Sequence, residues 1–324
     1  MTAPTPTVSV VICAYTEDRW DDIVAAVESV HKQTLAPKEI LVVVDHNPKL
    51  LDRVRTELSG ISSCANSGPQ GLSGGRNTGW HETTGDVIAF LDDDAVASPD
   101  WLEQLVGPYA DPQVLGVGGS ISPNWQHGQP SAFPEEFLWV VGCSYLGLPI
   151  AQSEVRNMIG ANMSLRRSAL DKTTGFNADL GRIGTRPVGC EETELCLRLV
   201  DASDQGKIVY QPAAHVRHSV PASRATFQYF RSRCYAEGIS KAHVSRLSGA
   251  SAALSSETDF VRKTLPLGVL RALREGVRSR QTAPFLRAGG IVLGLTFTTA
   301  GYGVGLLRRT TPSAAPNPQV LTTV

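Results

Sequence analysis

Cysteine pairs, targeting signals and repeats are what this chain lacks. Its six cysteines (Cys13, Cys64, Cys143, Cys190, Cys196 and Cys234) include no Cys-x-x-Cys pair. Their scatter reads as reduced cytosolic thiols and not as a disulfide framework. The opening MTAPTPT has no basic segment leading into an apolar stretch, so no secretory signal is visible and the catalytic part is expected in the cytoplasm. No recognised nucleic-acid motif, internal repeat or low-complexity tract precedes Thr310. With 324 residues, 42% of them hydrophobic and 19% charged, the chain can bury one large core or two modest ones.

The net charge of −1 hides an asymmetry: from Arg217 to Arg309 there are fifteen Lys and Arg against four acids. This basic portion leads into Ala288 to Leu307, AGGIVLGLTFTTAGYGVGLL, an uncharged run lying between Arg287 and Arg308/Arg309. Basic flanks around a stretch of bilayer length suggest contact with a membrane surface or a single span. The competing reading is a Gly- and Thr-rich helix packed in the soluble body.

Along the first third, apolar runs alternate with helical patterns. Val8 to Cys13, Glu39 to Asp45, a weak segment at Ser62 to Ala65 and the run from Gly85 read as strands, with helices at Trp20 to Gln33, Pro48 to Ser59 and Pro99 to about Ala110. This spacing predicts βαβ units in an α/β fold with a mainly parallel sheet, whose ligands bind at the carboxyl ends of strands. Cys13, Ala14, Tyr15, Asp45 and the Asp92–Asp94 triplet all fall there. The second half is less regular, with a long helical pattern from Arg224 to Leu247.

The triplet ending GDVIAFLDDD is the sharpest chemical signal. Three adjacent carboxylates repel unless a cation sits among them, and extended backbone turns Asp92 and Asp94 to the same side while Asp93 points elsewhere. Two converging carboxylates suit a hard divalent ion, Mg²⁺ or Mn²⁺.

Six segments in order, VSVVICAY, EILVVVD, GLSGGRNTG, GDVIAFLDDDA, GANMSLRR and EETELCLRL, resemble the family 2 inverting glycosyltransferases of the GT-A fold, over roughly Val8 to Ser219. FPEEF, VRNMIGANMS and EETELC are similar more narrowly to glucosyl-dolichyl-phosphate glucuronosyltransferases and their bacterial relatives. The resemblance implies a Rossmann-like sheet flanked by helices with a helical, basic C-terminal extension. The chain thus divides into a nucleotide-sugar half (1–115) and an acceptor-binding and catalytic half (116–223); beyond the resemblance, charge and helical pattern give a basic helical region (224–309), and the three prolines of 310–324 give a disordered tail.

Carried over by position, the resemblance makes Asp45 the acceptor of a uracil N–H, with Cys13, Ala14 and Tyr15 beside the base. Arg76 and Asn77 lie near the nucleotide. Asp92 and Asp93 share the ribose and phosphate side, while Asp94 is the first metal ligand, joined by Asp92 and by His218, with His215 the lesser alternative. Glu192 stands where the family has its catalytic aspartate, with Glu191 beside it and Glu194 as the reserve. Asn162 and, in the loop Gly181 to Gly189, Arg182 and Arg186 are expected on the acceptor or phosphate side, the loop acting as a lid. Trp125, Phe133, Phe137 and Trp139 either stack on a ligand or pack the core.

The implied activity is metal-dependent transfer of a sugar, most simply from a UDP-sugar such as UDP-glucuronate, to a hydroxyl on a polyprenyl-phosphate-linked sugar at the inner membrane face. A soluble glycoside or natural-product acceptor is the alternative. A sugar nucleotidyltransferase would carry a glycine-rich basic loop after the first strand, where this chain has CAYTEDRW, and a non-catalytic sugar-nucleotide sensor would not need the candidate base.

Overall fold

The computed structural model describes residues 5–180, 189–249 and 255–307. Arg182 and Arg186 of the expected lid, and the tail 310–324, lie outside the described residues. The first four strands, β1 (Val8–Ala14), β2 (Glu39–Val44), β3 (Ser62–Ala65) and β4 (Val87–Asp92), run parallel in the order β3-β2-β1-β4. The unbroken apolar runs of β1, β2 and β4 suit strands covered on both faces. Helices α1 (Trp20–His31) and α2 (Pro48–Glu57) cover one face, packing Ile23, Val27, Leu50 and Val54 against Val10, Ile12 and Val42. Asn47 caps α2 by accepting from the Leu50 N–H, and Pro48 occupies the first helical position.

Helix α3 (Leu72–Glu82) covers the other face through Trp80. Its glycines permit contact at the backbone: a Cβ at Gly79 would stand 2.3 Å from a Val11 methyl.

After β4 come β5 (Ala95–Ala97), α4 (Trp101–Val106), whose course continues as a 3₁₀ turn to Ala110, and the long strand β6 (Val114–Trp125). A 3₁₀ segment (Glu135–Val141), β7 (Ser153–Val155), β8 (Asn162–Arg166), α5 (Arg167–Leu170), α6 (Glu191–Asp201) and β9 (Lys207–Val220) follow. The sheet extends as β4-β8-β6-β9-β5, with β7 on β9. Among the central strands β8 runs antiparallel to both neighbours, while β6 and β9 are parallel to each other. The short β5 returns the acidic turn against β9 and sets Ala95 opposite His218.

The C-terminal region is helical: α7 (Phe227–Ser248), a short helix (Ser255–Asp259), a π-helical turn (Phe260–Thr264), α8 (Leu265–Ser279) and α9 (Ala283–Leu307). Trp125, Phe133, Phe137 and Phe230 form a ring cluster with centroids 5.3–5.5 Å apart that ties this layer to the sheet. Trp125 and Phe133 are therefore core packing, whereas Phe137 and Trp139 also reach the cavity described next.

Candidate active site

Asp92 ends β4, Asp94 lies in the following turn, and His218 is brought alongside by the β5–β9 pairing. One ligand atom from each falls within 4.8 Å of the others, the only such group among the described residues. Two carboxylates and an imidazole are a suitable donor set for a divalent ion that accepts oxygen and nitrogen. His218 Nε2 lies 3.0 Å from Asp94 Oδ1. Burial alone would lower the imidazole's pKa, but the Asp94 carboxylate overrides it and raises His218 to about 10. Burial likewise works to raise Asp94, and His218, Arg19 and Arg224 together pull it well below the usual carboxylate range.

The cations that make the triplet tolerable are thus partly protein groups. Arg19 Nη1 sits 2.9 Å from Asp93 Oδ1 and 3.0 Å from Asp94 Oδ2, and Arg224 Nη1 is 3.8 Å from Asp94 Oδ2. Neither arginine carries a sequence signal beyond the rule that an acidic cluster needs a counter-charge. Asp93 is buried against Arg19, and its Oδ2 has no hydrogen-bond partner among the described residues. Burial and the neighbouring Asp94 push its pKa up. Asp93 is thus packed against Arg19, while the half-buried Asp92 lines the crevice.

Across the crevice Glu191 and Glu192 open α6, after Cys190 in a left-handed conformation (φ 74°). Arg76 is 2% exposed and joins the two walls. It donates to Glu191 Oε1 (2.9 Å), to the Gly160 carbonyl (3.0 Å) and, at 3.4 Å, to Asp92 Oδ1. Glu191 Oε2 has no hydrogen-bond partner among the described residues. Glu192 is pushed up to about 8 by burial and by Glu191, against the pull of Arg76. A carboxyl raised in this way ionises nearer neutrality than a free one, which suits a general base. Glu194, the reserve base, is paired with Arg198 at 2.7 Å.

A cavity of about 780 Å³ is lined by Arg76, Asp92 and His218 on one side and by Glu191 and Glu192 on the other. It continues past Arg156, Lys241 and Glu257 to Phe260, Leu265, Leu295 and Tyr302 on the C-terminal layer. Arg156 pairs with Glu257 at 2.5 Å and Lys241 with both Glu257 and Glu237. This ionic wall has no sequence signature, because its members come from three separate segments.

Other candidate side chains are tied into the fold by hydrogen bonds of their own. Asn162 is fully buried; its amide donates to the Ser120 and Ala214 carbonyls and accepts from Trp101 Nε1. It locks the sheet. Asn77 clamps the main chain of Phe176 with both ends of its amide. Asp45 accepts from Asn66 Nδ2 (2.6 Å) and the Gly71 N–H (3.0 Å), so it braces the glycine-rich turn. Cys13, its thiol raised to about 12 by burial, and Ala14, whose carbonyl accepts the Asp45 N–H, form the floor beneath. Tyr15 is an exposed ring at the rim with Arg19 5.4 Å from its centroid. His215 bonds Ser98 and Ser122, away from the acids.

Residues 9–174 match the model of the glycosyl transferase family 2 domain. A glucosyl-dolichyl phosphate glucuronosyltransferase of Haloferax volcanii is 37% identical over 238 residues, covering 72% of this chain and 76% of that protein. The chain belongs to glycosyltransferase family 2. Like the family at large, this glycosyltransferase is an inverting enzyme. The succinoglycan biosynthesis protein ExoM of Rhizobium meliloti is 29% identical, over 69% of this chain and 70% of that one. Among solved structures, a mannosyltransferase of Pyrobaculum calidifontis in complex with GDP-Man and Mn²⁺ superimposes with a TM-score of 0.58 at 17% identity, over 94% of this chain and 87% of that one. GalNAc-T7 with UDP, GalNAc and Mn²⁺ gives 0.51 at 18% identity, over 76% of this chain and 54% of the other. These likenesses establish the GT-A fold of this family 2 enzyme.

Proposed function

We propose that this glycosyltransferase moves a sugar from a UDP-sugar, UDP-glucuronate in the first instance, to a hydroxyl of a polyprenyl-phosphate-linked sugar at the inner face of the cell membrane. The observation that carries the reading is the single cavity with Asp92, Asp94 and His218 at one wall and Glu192 at the other. The glucuronosyltransferase relative favours the substrates. Residues 1–115 hold the nucleotide, with Tyr15 and Asp45 at the base, and residues 116–223 hold the acceptor and the catalytic helix. The basic layer 224–309 contacts the membrane.

Asp92, Asp94 and His218 would hold Mg²⁺ or Mn²⁺, which when bound supplies charge neutralisation for the departing diphosphate. Glu192, as carboxylate, accepts the proton of the acceptor hydroxyl while that oxygen forms its bond to C1. The C1–O bond to the diphosphate breaks on the opposite face, and UDP leaves with the bonding pair, inverting C1. Arg76 keeps Glu191 from adding its full charge beside Glu192.

Glu192→Gln tests this. It preserves shape and removes the base, so transfer falls about 10²–10⁴-fold while UDP affinity is kept. Screening nucleotide sugars for slow hydrolysis with Mg²⁺ or Mn²⁺ identifies the donor. Full transfer by Glu192→Gln would remove Glu192 from the reaction.

A further inference from the structure

Among the described residues, thirteen of the sixteen large hydrophobic side chains that stand exposed lie at or beyond Phe227. They are not scattered. On α8 the buried line is made of Leu265, Gly268, Ala272 and Gly276, at i, i+3, i+7 and i+11. Small residues there let the helix lie close: a Cβ at Gly268 would meet the buried Glu136 at 2.2 Å, and one at Gly276 would meet Phe285 at 2.6 Å. The opposite side presents Leu267 (65% exposed), Leu270, Leu273 and Val277 (72% exposed), flanked by Arg271, Arg274 and Arg278. Beside it α9 exposes Phe285, Leu286, Val292, Leu293, Leu306 and Leu307 along one stripe without a charge.

By length and composition α9 can cross a bilayer. Its other face, however, belongs to the protein. A Cβ at Gly238 of α7 would lie 2.0 Å from the Thr298 carbonyl oxygen, and one at Gly301 of α9 would lie 2.0 Å from that of Tyr235, so the two backbones touch. Arg246 of α7 donates to the Gly305 and Leu306 carbonyls (2.6 and 2.7 Å) and closes the end of α9. Helix α7 carries Arg231, Arg233, Glu237, Lys241 and Arg246. Taking α9 across the membrane would either strip this contact or drag those charges into hydrocarbon, and each charge at mid-bilayer costs at least about 2.5 kcal/mol.

We propose that α8 and the outer stripe of α9 form a one-leaflet docking platform that lies flat in the surface of an anionic phospholipid bilayer, and that α9 does not span it. Charge complementarity selects the lipid surface as the occupant. From Phe260 to Leu307 there are seven Lys and Arg and one acid, Glu275, which is already paired with Arg287 at 2.5 Å. An amphipathic helix with leucines on one face and arginines along its edge is the pattern that binds in the interface plane. The cavity is lined at its far end by Val261, Thr264, Leu265 and Leu295 of this layer. Docking therefore brings that end to the membrane, beside the place where a lipid-linked acceptor would present its head. The platform refines the membrane contact proposed above and rests on it only for location, since donor hydrolysis reads the transfer chemistry separately.

The test is flotation of the full chain with vesicles of phosphatidylcholine, alone or mixed with phosphatidylglycerol. The protein is expected to float with the mixed vesicles, less as salt rises, and to be released by alkaline carbonate. Leu270→Asp with Val277→Asp lowers partition at least about tenfold, and Arg274→Gln with Arg278→Gln lowers it by about fivefold per charge. Both double variants retain donor hydrolysis and the parent melting temperature, because all four side chains are exposed. Resistance to carbonate would mean that α9 spans. A stable dimer that covers the stripe and ignores vesicles would assign the surface to a second copy of the chain. Either result overturns the platform.

Discussion

Replacing Arg76 with methionine probes the joint between the two walls of the site. The guanidinium is 2% exposed and serves Glu191, Gly160 and Asp92 at 2.9, 3.0 and 3.4 Å. Methionine fills a similar volume without charge, so the packing term is small. What remains is a buried Glu191 carboxylate that has lost its partner, with Glu192 next to it. Breaking a buried pair from one side costs about 3–5 kcal/mol, which in a chain of this size lowers the melting temperature by about 4–7 °C.

The penalty has a direction in pH. Glu192 is already raised in the folded state by burial and Glu191, against the pull of Arg76. Without Arg76 it rises further. An acid whose folded pKa exceeds its unfolded value binds more protons when folded, so its unfavourable effect appears as pH climbs above the unfolded value and grows up to the folded one. Arg76→Met should thus be more damaging at pH 8 than at pH 5. Adding Glu191→Met should recover most of the loss, since removing both partners of a buried pair is often near neutral. Differential scanning fluorimetry over this pH range is sufficient. A shift within about 1 °C, flat in pH, would refute the buried bridge.

Asn162→Ala separates its part in the sheet from the acceptor or phosphate contact. Three buried hydrogen bonds are lost and the Trp101 N–H is orphaned, so unfolding free energy drops by about 2–4 kcal/mol while kcat and KM of the folded fraction stay at parent values; a raised acceptor KM would restore the substrate role. Transfer rate should rise with pH and level off near 8, as Glu192 ionises, by up to about tenfold per unit below that. A rate flat between pH 6 and 8 would contradict Glu192 as base.

The donor side of the fold was readable because β1, β2 and β4 are continuous apolar runs broken by well-capped helices. Strands β6 and β9 were not. Gly116, Gly118, Gly119, Pro123 and Pro212 interrupt them and read as turns, yet β6 and β9 absorb irregularities by register shifts, one of them between Gly119 and Ser120. In the site, Asp92, Asp94 and His218 were legible because period-two backbone and the family pattern agree. The main-chain bonds of Asn77 and Asn162 could not be read, because an amide within a motif looks the same whether it faces a ligand or clamps main chain. Arg19 and Arg76 depend on where long side chains reach, which no local pattern encodes. The last helix showed bilayer length but not the α7 contacts that occupy one of its faces.

The most direct measurement is calorimetric titration of Mn²⁺ at pH 7.5 in two buffers of different ionisation enthalpy. His218, raised to about 10 by Asp94, is protonated without metal and must be neutral to ligate. The account predicts one bound ion, release of about one proton from His218, and loss of binding in Asp94→Asn and His218→Leu. Undiminished affinity in both variants, with no proton released, would contradict it.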